Sequence, residues 1–459
     1  MYLSILTFLL QIILPFNDLF TGQTCRMDVM HGGDRNTEWV ALDEFRIEKE
    51  WAGTRTNLTN DLNLGTYRIQ LIHKKDSSLI FSQGINGIFG EWQTTAEASL
   101  MQRAFHESFR FPEPKESVKV LIQKRDSLNN FETLTSFDLD PKHWRVNREN
   151  VYEKGLLKDI HISGNADKKL DILILSEGYQ EEDLYKFFED ANRMSSALFK
   201  EEPFKSRKED INIRALGIQS VESGISNPRA KEQVNSAFDL HFNSLGSDRY
   251  VLTYSNKKIR EAIAHVPYDA LIIVANEKKY GGAGLYNLWA TVTSDNKLSD
   301  YVFVHELGHS LAGLGDEYYT SSVAYEIEPP KVEPWEPNLT ALLSDTLKWA
   351  ALVDEDTPIP TPWKKAEFDT FEENYPPMPS VLSTLEILDY MDEKGEKKQL
   401  LLQSSLYYDK VGAFEGGGYL SEKIYRPQVD CIMHTQNDVG FCKVCVHHLN
   451  KILDYYSEK

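Results

Sequence analysis

Hydrophobic and polar positions follow one period in the first part of the chain and another after it. From Leu64 to about Pro141, runs such as Tyr67–His73 and Val118–Gln123 alternate apolar and polar residues, separated by turn-rich stretches that include Gly84–Gly87. A period of two predicts half-buried strands, and several short ones in succession predict a small antiparallel β-sandwich. A polar stretch from Pro141 to about Lys169 carries the connection. Beyond it, Asp171–Leu175, Ile211–Ile218 and Tyr268–Ala275 read as apolar strands, and the first two are followed by helical patterns near Glu181–Phe199 and Lys231–Phe242. That alternation predicts a mixed sheet with flanking helices. The expected fold class is α/β in the α+β sense, with the β-sandwich at residues 23–145 and a larger domain at residues 146–459.

Within the larger domain, Tyr280–Thr293 joins a Gly-rich stretch to a β-prone run. An exposed edge strand there would pair with an extended peptide through main-chain hydrogen bonds, and an ordinary loop before an edge strand is the competing reading. No Gly-Lys-Ser/Thr follows these glycines, so they do not form a phosphate loop. Ser299 and Asp300 look like the N-cap of a helix carrying Tyr301, Val302, Val304, Leu307 and Leu311, and Gly313 and Gly315 look like its stop. Residues 320–400 are rich in proline (Pro358, Pro360, Pro362, Pro376, Pro377, Pro379) and acid, and read either as an insertion lining a cleft or as a solvated excursion.

Composition adds location and partners. With 50 basic and 70 acidic residues the formal net charge is −20, which opposes nucleic acid and anionic membrane surfaces as partners. The apolar run Leu3–Leu14 is too short to span a bilayer but long enough for a secretory leader, so residues 1–22 are expected to be a signal peptide. The mature protein would then carry no transmembrane helix and be secreted, or held at a cell surface or in a periplasm. No Lys or Arg precedes the run, and a buried amino-terminal helix or strand is the alternative. Lipidation at Cys25 is disfavoured by the preceding Gly22-Gln23-Thr24. Of the four cysteines, Cys431, Cys442 and Cys445 come late and allow one disulfide, Cys431 with either Cys442 or Cys445. A small metal site at Cys442 and Cys445 with His447 and His448 is disfavoured for want of a second ligand pair.

The strongest chemical signal is His305-Glu306-Leu307-Gly308-His309, an HExxH pentapeptide. Residues four apart stand on one helical face, so His305 and His309 can offer imidazole nitrogens to one Zn²⁺ while Glu306 points beside it. There a carboxylate can act as general base on a water whose pKa the metal lowers. Burying two histidines and a glutamate among apolar neighbours would serve no purpose in a plain core helix. The glycine-broken stop lets the chain turn back, so that Asp316 becomes the third-ligand candidate and leaves a fourth position for water. Glu317 competes for that role. Glu326, Glu328, Glu333 and Glu336 would suit a plan that takes its third ligand from a later helix, but Pro329, Pro330, Pro334 and Pro337 argue against a helix there.

The run from His305 to Tyr319 resembles the metzincin arrangement with a terminal aspartate, and in detail it is similar to the bacterial IgA peptidase family of zinc metallopeptidases. Common metzincins place a glycine three and the third ligand six residues after the second histidine, whereas Gly313 and Asp316 stand one residue further on in this chain. Tyr425–Met433 resembles the segment carrying the metzincin Met-turn, with Met433 beneath the metal. Asp171–Tyr179, Phe414–Tyr419 and Phe441–Cys445 are similar to further family segments. The resemblance implies a metzincin-like zinc endopeptidase with one catalytic Zn²⁺, an active-site helix and a preceding β-domain. It also implies a tyrosine near the Met-turn that helps hold the oxyanion, for which Tyr425 and Tyr419 are the nearest candidates. The expected partner is a protein or peptide, with a glycoprotein or an immunoglobulin among the candidates. Alternatives are a zinc peptidase of unrelated substrate, such as cell-wall or dietary peptides, or a non-catalytic surface protein that binds a ligand.

Overall fold

The computed structural model of the chain describes residues 15–320, 328–376 and 384–457. A short helix α1 (Phe16–Leu19) leads into two long strands, β1 (Phe20–Gly33) and β2 (Glu38–Glu50). Strands β3 (Tyr67–His73) and β4 (Leu79–Ile85), helix α2 (Ile88–Gln93), and strands β5 (Arg103–Pro114), β6 (Val118–Arg125), β7 (Phe131–Leu139) and β8 (Val146–Asn147) follow. They build two four-stranded sheets, ordered β5-β1-β2-β8 and β4-β3-β6-β7. All pairs are antiparallel except β2 with β8. Met27, Val29, Phe109 and Phe111 of the first sheet and Ile69, Leu71, Val120 and Ile122 of the second are buried in one cluster, as the inner faces of packed sheets require. Phe16 and Phe20, which fall inside the expected leader, also lie in that cluster. Residues 1–14 are outside the described residues.

The period-two pattern begins at Leu64 and so misses β1 and β2. Buried polar residues hide them. Arg26 is fully buried, yet its Nε and Nη2 each donate to Asp28 at 2.9 Å and its Nη1 donates to Glu48 at 2.5 Å. Such a paired charge reads as surface in sequence while sitting in the core.

His31, at the end of β1, is fully buried between Glu107 (2.8 Å) and Glu38 (2.9 Å). Burial pulls its pKa down, but the two carboxylates outweigh burial and push it up from 6.5 to about 9. A histidine raised in the folded state contributes stability that is complete below its unfolded value and is lost as pH rises through the folded value. The melting temperature is therefore expected to fall between pH 6.5 and about 9. The upper bound of the effect is about 3 kcal/mol. A pH series of thermal melts checks this, with His31→Gln flattening that interval.

The second half begins with β9 (Leu156–His161), β10 (Leu170–Glu177), α3 (Leu184–Leu198), β11 (Ile211–Gly217), α4 (Asn256–Ile263) and β12 (Ala270–Ala275). It continues with β13 (Gly282–Leu285), β14 (Trp289–Thr293) and α5 (Ser299–Ala312). The six strands form one sheet, β13-β14-β12-β10-β11-β9. Its four inner strands are parallel and its two edges antiparallel, so the molecule is α+β with a mixed sheet. Helices α6 (Lys365–Asn374) and α7 (Thr384–Gln403), the hairpin of β15 (Phe414–Gly417) and β16 (Leu420–Arg426), and α8 (Lys443–Tyr456) complete the described chain. No helix among the described residues is long and apolar enough to cross a membrane.

Strand β10 shows how the sheet is covered. Ile172 and Ile174 pack with Phe187 and Phe188 of α3, Phe303 and Leu307 of α5 and Leu449 of α8. The alternate residues Leu173 and Leu175 pack with Ile259 and Ile263 of α4 and with Phe89 and Trp92 of α2. Both faces are therefore buried, which is why parallel strands read as unbroken apolar runs.

The expected helix at Lys231–Phe242 does not form. That segment is irregular, with left-handed backbone at Lys231 and Asp239, and it buries Ser236, Phe238, Leu240 and Phe242 at every second position. The fully buried Glu177 carboxylate accepts hydrogen bonds from Ser236 Oγ (2.5 Å), Phe238 N (2.9 Å) and Leu240 N (3.0 Å), satisfying backbone groups that a helix would have paired internally. The expected disulfide is also absent, for all four cysteines are free and buried.

Candidate metal centre

Helix α5 carries the HExxH segment along the edge of the sheet. Its first residue is Ser299 and its N-cap is Leu298, so Ser299 does not cap it as the sequence suggested. The Ser299 hydroxyl instead donates to Thr293 O at the end of β14, tying helix start to strand end. Gly313 closes the helix as read: at φ +62 its N–H reaches His309 O at 2.9 Å, and the N–H of Leu314 turns back to Gly308 O at 3.3 Å. A side chain at Gly313 would be strained by that backbone and would meet Trp335 at 2.8 Å.

The reversal delivers Asp316 to the helix. His305 Nε2 lies 3.1 Å from Asp316 Oδ1 and 3.1 Å from His309 Nε2, and His309 Nε2 lies 3.2 Å from the same oxygen. The other ring nitrogens are occupied. His305 Nδ1 stands 2.9 Å from Ile432 O and His309 Nδ1 stands 2.5 Å from Leu314 O. Carbonyls only accept, so each Nδ1 bears the proton and each Nε2 of a neutral ring presents a lone pair. With both Nε2 positions deprotonated, three lone-pair donors converge on one point, an arrangement that suits a cation. Asp316 is held well below the usual carboxylate range: burial pushes it up, but His309 and His305 outweigh that. Burial lowers His309, yet Asp316 and Glu306 push it up to about 9, so the site favours positive charge.

The surrounding residues come from α5 itself, from the Met433 turn and from the β15–β16 hairpin. Met433 is fully buried and packs against α5 beside His309, with its Sδ 3.1 Å from where a Cβ on Gly308 would stand. Tyr301 Oη donates to Ile432 O at 2.9 Å and so steadies the carbonyl that orients His305. Tyr419, at the tip of the β15–β16 hairpin with φ +65, donates to Asp316 Oδ2. Tyr425 lies outside the cleft lining, its backbone paired with Thr340. Glu306 is half-buried over β13, close to Gly282 and Gly284.

Of the competing carboxylates, Glu317 turns away from the histidines toward Cys442 and Cys445. Glu333 accepts from Thr340 and Leu343. Glu336 borders the cleft but is not among the converging donors, Glu328 also borders it, and Glu326 lies outside the described residues. No helix forms in residues 328–349.

These groups open into a cleft of about 1080 Å³. Residues from the Pro- and acid-rich stretch line one side of it, including Trp335, Leu339, Lys394 and Lys398. Arg249 and Tyr280, which carried no motif in the sequence, face it as well. Tyr280 is pushed up to about 12 by burial and by Glu306, so its hydroxyl keeps its proton and can donate. Only the fold brings these residues to the site, because the loop bearing Arg249 pairs at Tyr250 with Gly282 of β13.

Comparison with known families agrees with this geometry. Residues 159–453 match the family described as IgA Peptidase M64, and residues 15–136 match that described as Peptidase M64 N-terminus. None of the curated proteins matches the chain. The first match alone spans well over half of the sequence and contains every converging donor, so the chain belongs to the IgA peptidase M64 family and is a metallopeptidase.

Proposed function

We propose that this protein is a zinc-dependent endopeptidase of metzincin type, with His305, His309 and Asp316 as metal ligands, Glu306 as general base and Met433 as the floor of the site. The observation that carries the reading is the convergence of two Nε2 lone pairs and one carboxylate oxygen at 3.1–3.2 Å, with both Nδ1 positions already bonded to carbonyls. Two nitrogens and one oxygen suit Zn²⁺ with an open fourth position. When bound, the ion supplies a Lewis acid that lowers the pKa of a water and polarises the scissile carbonyl.

The remaining work falls to the chain. Burial holds the Glu306 carboxyl above its ordinary value, against the opposing pull of His305 and His309. A carboxylate nearer neutrality is suited to take a proton from the attacking water and return it to the leaving amine. Strand β13 is the sheet edge beside Glu306, and its neighbour at Gly282 is the short Arg249–Val251 segment, which leaves Ala283–Leu285 to pair with an extended substrate. Arg249 and Tyr280 supply donors for the developing oxyanion. Tyr419 is committed to Asp316, which suits a role in orienting that ligand.

We place the activity in residues 146–459, with residues 23–145 as a supporting β-sandwich, and infer export from the apolar run Leu3–Leu14. Chelation followed by a peptide-library digest is the test. Cleavage should disappear in metal-free protein and return with about one equivalent of Zn²⁺ at this site. Cleavage that persists without metal would overturn the reading.

A further inference from the structure

We propose that Glu317, Cys431, Cys442 and Cys445 form a second, structural metal site for a borderline-soft divalent cation such as Zn²⁺. Their ligand atoms all lie within 4.8 Å of one another, and all four residues are buried. Cys431 Sγ stands 4.0 Å from Cys445 Sγ, while Glu317 Oε1 stands 3.9 Å from Cys442 Sγ and 3.3 Å from Cys445 Sγ. A tetrahedron with Zn–S of about 2.3 Å and Zn–O of about 2.0 Å has S···S edges of about 3.8 Å and S···O edges of about 3.5 Å. The one S···S and two S···O edges observed lie within about 0.4 Å of these values. A disulfide would instead need its sulfurs at about 2.05 Å.

Three further observations point to a cation. Glu317 is fully buried and its Oε2 has no hydrogen-bond partner, a state that burial penalises unless a positive group is supplied. Backbone N–H groups aim at the sulfurs: Met433 N (3.4 Å) and Cys442 N (3.2 Å) at Cys431 Sγ, and Cys445 N (3.4 Å) at Cys442 Sγ. Donors so placed favour thiolate over thiol, and Cys442 also caps the N-terminus of α8. Asn338 Nδ2 donates to Glu317 Oε1 at 2.9 Å and fixes the carboxylate. Three thiolates and one carboxylate carry four negative charges, of which a divalent ion offsets two. The fully buried Arg426, which interacts with Glu317 and Cys431, offsets another.

The site joins three segments that hydrogen bonds already bring together. Glu317 directly follows Asp316, and its N–H donates to Met433 O at 2.8 Å. Cys431 precedes Met433 by two residues, and Cys442 and Cys445 begin α8. A metal there fixes the backbone that presents Asp316, and this coupling rests on the role of Asp316 proposed above. Soft sulfur ligands with one carboxylate favour Zn²⁺ over Ca²⁺ or Mg²⁺.

The experiment measures bound metal in the full chain purified under reducing conditions. Two equivalents of Zn²⁺ are expected in the natural protein, one in the His305→Ala/His309→Ala double variant and one in Cys445→Ser. Cobalt-loaded double variant should show thiolate-to-cobalt charge-transfer absorption, which Cys445→Ser added to it should abolish. Because the double variant keeps the cysteine cluster intact, its metal content decides the matter even if Cys445→Ser folds poorly. It also separates this inference from the peptidase reading, since it has no catalytic histidines. A double variant that binds no metal and stays without charge-transfer absorption would overturn the proposal, as would an intact mass two hydrogens short that reveals a disulfide.

Discussion

Glu306→Gln is expected to lower kcat/KM by about 10²–10⁴-fold while leaving metal content and melting temperature close to those of the natural protein. The amide keeps the shape of the carboxylate, so it fits the space between α5 and β13 where a Cβ at Gly282 would lie 3.2 Å from Oε1 and one at Gly284 3.1 Å from Oε2. It cannot take a proton. The metal donors remain as they are, because His305, His309 and Asp316 are oriented by Ile432 O, Leu314 O and Tyr419 and not by Glu306. An effect confined to turnover separates proton transfer from metal binding, which chelation cannot do. A variant that retains its metal and cleaves within tenfold of the natural rate would show that Glu306 is not the base.

How much of this was legible in the sequence depended on whether a residue's partners were local. The four-residue spacing of His305 and His309, the glycine stop at Gly313 and the return of Asp316 all lie within one helix and one turn, so spacing alone brought them together. The apolar strands β10, β11 and β12 were also readable, since burial on both faces leaves an unbroken hydrophobic run. Partners distant in sequence were not readable. Arg26 in β1 looks like a surface residue until Glu48 is found beside it. The segment before Phe242 has apolar residues that admit a helical reading, and only the carboxylate of Glu177 shows what holds it in a non-helical path. The cysteine cluster is the clearest case. Cys442 and Cys445 looked like half a metal site because the remaining donors are Cys431, in the Met433 turn, and Glu317, 125 residues before Cys442. Glu317 was weighed as a rival to Asp316, yet Asp316 faces the two histidines and Glu317 faces Cys442 and Cys445, so the two carboxylates serve different clusters.

Gly284→Val is expected to reduce kcat/KM by about 10²-fold or more, a loss comparable with removing the base although no ionisable group is touched. The edge strand β13 lies against α5 so closely that a Cβ at Gly284 would stand 2.5 Å from Glu306 O and 2.8 Å from His309 Cβ. Neither atom can swing aside. The first is helix backbone, and the second is fixed by the path of α5 and by the bond from His309 Nδ1 to Leu314 O. Relief must come from separating strand and helix by the order of an ångström, which displaces Glu306 from the groups it serves and shifts the strand that is proposed to align the substrate. Overpacking of this kind costs roughly 1–3 kcal/mol in stability, less than enough to unfold an ordinary domain. The separation of the two readouts is the informative result: a modest fall in melting temperature with a large fall in turnover. If activity and stability decline together, or if activity is unchanged, the close approach of β13 to α5 is only a packing feature and the substrate does not depend on that edge.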